Sequence, residues 1–141
     1  MKSKFYVDLF DQVSQLNLND RYRVNSGGCG CFAKVMLKYL PELKIIYLTD
    51  DEYDKDKFDN GNPASCNHIV LSDGRFHYDA NGAHSKTSVK PHCIHRFEVD
   101  EEFLDESLDV SYLWNNWFER ENLDYIEREV FTVIQNNRKE A

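Results

Sequence analysis

Apolar residues recur at helical spacing in several parts of the chain, with short strand-like runs between them. Phe5, Leu9, Val13 and Leu16 fall on one face of a helix over residues 4–17, and Phe10 widens the stripe. Phe32, Val35, Met36, Tyr39 and Leu40 repeat the pattern and predict a helix from about Cys29 to Leu40, which Pro41 ends. Between these helices, residues 17–28 are polar and turn-rich and close on Asn25-Ser26-Gly27-Gly28. The two glycines permit a sharp turn, and Asn25 or Ser26 can cap the helix that follows.

The periodicity then changes. Lys44–Leu48 is short and β-branched, the signature of an interior strand. Cys66–Leu71 and Arg75–Tyr78 flank Ser72-Asp73-Gly74, and Asp-Gly between β-favouring runs is a hairpin signal. Residues 80–90 read as a loop, and His92–Val99 as a candidate last strand. From Asp100 the pattern is helical again, with an acidic first turn. Leu113, Trp114, Trp117 and Phe118 mark one stretch, and Ile126, Val130, Phe131 and Ile134 mark a final helix over Leu123–Asn137. Helices segregated from an antiparallel sheet make an α+β fold. A single domain, 1–141, is expected, with a core of about residues 25–99 and a helical C-terminal segment, 100–139.

Composition narrows the function. At 141 residues, 41% hydrophobic and 13% aromatic, the chain has enough apolar surface for one packed core. Its net charge of -8, with Lys2/Lys4 and Arg21/Arg23 as the close basic pairs before residue 29, excludes a phosphate-tracking surface, so no nucleic-acid partner is expected. No run of roughly 18 apolar residues exists, so no membrane span is expected. The N-terminal residues lack the apolar stretch of a signal peptide, and the four cysteines therefore read as thiols of a cytoplasmic protein. The acidic run over residues 50–63 reads as an exposed loop beside the following strand. A calcium loop starting at Asp50 needs glycine sixth and glutamate twelfth, where Lys55 and Gly61 stand.

The candidate chemistry lies in three residues. Cys29 follows Gly27-Gly28 at a helix start, where unpaired N–H groups and the helix dipole stabilise a thiolate. His68 opens one strand and Asp79 closes the next, each five residues from the Asp73-Gly74 pair. That symmetry makes them near cross-strand neighbours, close enough for a carboxylate to orient an imidazole. Gly28 lets backbone approach the reaction centre, the Cys29 N–H is an oxyanion donor, and the Asn25 side chain is a candidate second donor. His77 shares a face with Asp79 by strand alternation and could border the site, with a solvated histidine as its default reading.

Gly28-Cys29-Gly30-Cys31-Phe32-Ala33, His68-Ile69-Val70-Leu71 and Gly74-Arg75-Phe76-His77-Tyr78-Asp79 together resemble the papain-like cysteine-enzyme superfamily, and more closely its transglutaminase-like branch. Arylamine N-acetyltransferases share the order Cys, His, Asp. The resemblance covers roughly residues 25–82. It implies a helix-plus-sheet core, with Cys29 as nucleophile, His68 as base and Asp79 as orienter, performing acyl transfer on an amide or peptide bond of a protein or peptide substrate without a cofactor. The Trp or acidic residue usual after the nucleophile is replaced by Gly30 and Cys31. In papain itself the nucleophile precedes Trp-Ala, so Cys31, before Phe32-Ala33, is the alternative nucleophile.

Two other readings stand beside this one. Cys29, Cys31, Cys66 and His68 form a candidate tetrahedral zinc set, in which Cys93-x-His95 could replace either pair. A catalytically inactive domain of the same fold could instead bind a protein partner through Trp114, Trp117, Leu123 and Ile126.

Overall fold

A computed structural model describes residues 2–22, 29–49, 67–89, 95–104 and 123–140. The first helix, α1, runs Lys2–Ser14 and gives way to a tightened turn, with Gln15 N–H donating to Gln12 O at 3.1 Å and Leu16 N–H to Val13 O at 3.0 Å. Asn17 then takes φ 55°, a left-handed conformation that a short polar side chain tolerates. This allows a one-turn helix, α2 (Leu18–Tyr22), where the sequence predicts only a polar connection. The nucleophile helix of the sequence reading, α3, spans Cys29–Tyr39.

Five strands follow among the described residues: β1 (Lys44–Thr49), β2 (Asn67–Ser72), β3 (Phe76–Asp79), β4 (Gly82–Ser85) and β5 (His95–Val99). They form one antiparallel sheet in the order β4-β3-β2-β1-β5, so β1 is interior as its apolar run predicts. Strand β4 replaces part of the loop expected at 80–90. A helical turn begins at residues 101–104, and the last helix, α4, covers Leu123–Glu140. The 50–63 loop and the Val110–Phe118 stretch with its two tryptophans lie outside the described residues. Mixed helix and antiparallel sheet is α+β. Among the described residues no helix is long and apolar enough to cross a membrane.

Strand alternation gives the sheet two distinct faces. On one, Ile45, Tyr47, Ile69, Leu71 and Tyr78 join Leu9 and Phe10 of α1, Phe32 and Met36 of α3, and Ile126 and Val130 of α4 in the main core. Phe10 stacks on Tyr78 with ring centroids 4.7 Å apart. Burying each such side chain contributes about 1.5–3 kcal/mol. The opposite face carries Leu48, Val70 and Val89 in a second, smaller cluster. His68, His77 and Asp79, all buried, alternate with the core residues and so belong to this second face.

Candidate functional site

The hairpin between β2 and β3 sets the geometry. Asp73 organises its tip: one carboxylate oxygen accepts the Arg75 and Phe76 N–H groups, each at 2.9 Å. The other accepts hydroxyls from Ser3 at 2.7 Å and Tyr78 at 2.6 Å. Gly74, at φ 95°, supplies a backbone conformation that a side chain disfavours. Ser72 faces His77 and Leu71 faces Tyr78, and continuing that register puts Asp79 opposite Val70. The symmetry counted about Asp73-Gly74 therefore misses the register by two residues. A two-residue shift preserves the face on which each side chain stands, whereas a one-residue shift would have parted them.

His68 and Asp79 consequently meet on the diagonal. His68 Nε2 lies 3.0 Å from Asp79 Oδ2, with His68 1% and Asp79 4% exposed. The other oxygen, Oδ1, accepts the Asn81 N–H at 2.9 Å and lies 2.9 Å from His84 Nε2. This last group comes from β4. Asp79 pairs with Gly82 across a tight turn through Ala80 and Asn81, and alternation returns His84 to the face of Asp79. Burial by itself pushes the Asp79 carboxyl up. Hydrogen bonds from His68 and His84, with their charge, outweigh it and hold the group well below the usual carboxylate range.

His77 stands directly opposite His84. It is 3% exposed, against the solvated histidine expected, and neither ring nitrogen has a hydrogen-bond partner among the described residues. Burial lowers its pKa; the Phe76 backbone opposes this, while Arg96, Lys86 and His84 reinforce it. Arg96, in register with Leu48 and hence with His68, donates from Nη2 to Val89 O at 3.4 Å.

Of the residues singled out in the sequence, the structure brings together His68 and Asp79, with His77 beside them. Cys29 is the first residue of α3, but its side chain, like Asn25, Gly28, Cys66 and Cys93, lies outside what is described. Cys31 is buried in the main core, on the side of the sheet away from His68. Among the described residues no group of three His, Cys, Asp or Glu side chains is arranged to hold a metal ion. His84 is the member that sequence reasoning missed. Its signal was the Asp79-Ala80-Asn81-Gly82 turn, which sends a second strand back past the carboxylate. Set against family models, curated proteins and solved structures, the chain matches none of them.

Proposed function

We propose that the protein is a cysteine-dependent acyl-transfer enzyme of papain-like, transglutaminase-like type, which hydrolyses an amide or peptide bond in a protein or peptide. The single observation that carries this reading is the buried His68 Nε2–Asp79 Oδ2 contact of 3.0 Å. A carboxylate on Nε2 fixes the tautomer in which Nδ1 accepts a proton, and it stabilises the imidazolium that results. In this reading Cys29 transfers its proton to His68 Nδ1 and the sulfur attacks the carbonyl carbon. The imidazolium returns the proton to the leaving amine as the C–N bond breaks. Water, deprotonated by the same imidazole, then cleaves the thioester and regenerates the thiol.

Connectivity supports Cys29 as the nucleophile. Residues 40–43 join α3 to β1 in a tight connection, with Leu40 N–H bonded to Met36 O at 2.8 Å and Leu43 N–H to Leu40 O at 3.2 Å. That reversal, with α3 packed on β2, turns the start of the helix toward the end of the sheet where β1 finishes and β2 begins. His68 is the second residue of β2, on the face turned from the helices. In this reading the thiol reaches the imidazole around the end of the sheet, not through it. Cys31, committed to the core, has no such route. The expected setting is the cytosol, where thiols stay reduced.

Alkylation with iodoacetamide tests the reading. Cys29 should react faster than an ordinary thiol, and His68→Ala should slow it by about a hundredfold, within the range of general-base contributions. Cys31→Ser should leave the fast phase in place, and Cys29→Ser should abolish it. A slow rate unaffected by His68→Ala ends the proposal.

A further inference from the structure

We infer that His84 is a positioning residue of this site, one jaw of a two-imidazole clamp that holds Asp79 aimed at His68. The inference rests on the acyl-transfer reading above and extends it to a residue from a third strand. Its basis is how the carboxylate shares out its oxygens. Oδ2 is taken by His68, while Oδ1 is taken by His84 Nε2 and the Asn81 N–H, each at 2.9 Å. The terminal torsion of an aspartate is broad and roughly two-fold, so a carboxylate on one restraint rotates easily. An aspartate in a turn also tends to bond its own backbone, as Asp79 does through Asn81. Without His84, that local bond alone among the described residues would restrain Oδ1, and nothing in a turn bond selects the rotation that points Oδ2 at His68. With His84 present, the carboxylate plane is defined by two ring nitrogens on opposite oxygens.

The placement of His84 suits this role. Its side chain is 25% exposed, against 1% for His68 and 5% for Asp79. It is the more exposed of the two imidazoles and holds Oδ1, leaving Oδ2 to His68. Register makes the contact reproducible. Asp79 pairs with Gly82, so the residue two further along β4 returns to the same face. In this reading His84 acts through Asp79, whose Oδ1 it holds.

The test uses the full chain with ¹⁵N-labelled histidine. In the wild-type protein the His68 ring should show one tautomer, with the proton on Nε2. His84→Asn, whose amide stops short of the carboxylate, should give His68 nitrogen shifts averaged between tautomers and slow Cys29 alkylation by about tenfold, as expected for a hydrogen bond to a charged group. In His84→Gln the amide nitrogen falls near the position of Nε2 and donates the same bond. That variant should restore the single tautomer and a rate within about twofold of wild type. His68 nitrogen shifts unchanged in His84→Asn overturn the inference, as does a glutamine variant no better than the asparagine one. If wild-type Cys29 shows no His68-dependent alkylation, the acyl-transfer reading falls, and the nitrogen shifts still decide whether His84 orients Asp79.

Discussion

His77 and Asp79 stand two residues apart on one face of β3, and acid acts on them in different pH ranges. Burial keeps His77 neutral, so its folded pKa lies below that of the unfolded chain. Below a pH of about 6.5 the unfolded chain takes up a proton that the folded state resists. Stability then falls as pH falls, by at most about 1.4 kcal/mol per unit for this one group. His77→Leu should remove this loss below about pH 6.5 and raise the urea midpoint at pH 7, because two ring nitrogens with no partner among the described residues no longer need to be buried. Asp79 has its folded pKa depressed by the two imidazoles. Its contribution is complete above about pH 4 and disappears in stronger acid. His77→Leu should therefore leave that lower limb unchanged, which urea titrations at a series of pH values will show.

At the scale of elements, Gly82 and Gly74 offer a controlled comparison. Both have positive φ, at 116° and 95°. A Cβ on Gly82 would meet Ser14 Cβ at 3.6 Å, an ordinary contact, and one on Gly74 would meet nothing within 4 Å. Substitution to alanine at either position thus acts through backbone strain, at a cost of about 1–3 kcal/mol. Gly82 lies between Asp79 and His84, so Gly82→Ala should also slow Cys29 alkylation. Gly74→Ala should lose similar stability at the hairpin tip and keep its alkylation rate.

The same elements show what could be read from the chain. Helices α1, α3 and α4 carry long apolar stripes, and packing of those stripes is what forms them, so their existence was legible. Strand β4, Gly-Ala-His-Ser, has no β-branched residue and no Phe, Tyr or Trp, and exists because the Asp79–Gly82 turn returns the chain beside β3. Helix α2 depends on the left-handed Asn17, a single-residue event that periodicity does not register. The His68–Asp79 contact was legible through face parity even though the register counted from the turn was not. His84 was hidden because β4 was.

Across the whole molecule, the helical layer and the hairpin are joined at defined points. Gln12 and Asn137 exchange amide hydrogen bonds at 3.2 and 3.0 Å, linking α1 to α4. Asp73 links α1 to the β2–β3 hairpin through Ser3. Partial burial raises the Asp73 carboxyl, but bonds from Tyr78, Phe76, Ser3 and Arg75 overcome this and hold it at about 2. Asp73→Ala should cost about 1–3 kcal/mol in chemical denaturation. Because the folded pKa is depressed, the contribution of Asp73 is present above about pH 4 and lost as pH falls toward 2, so the penalty of the substitution should shrink over that interval.

The bond from Ser3 to Asp73 makes the opening turn of α1 a splint for the strand that bears Asp79. Trimming a few leading residues, or fusing a bulky affinity handle ahead of them, would work on that splint directly.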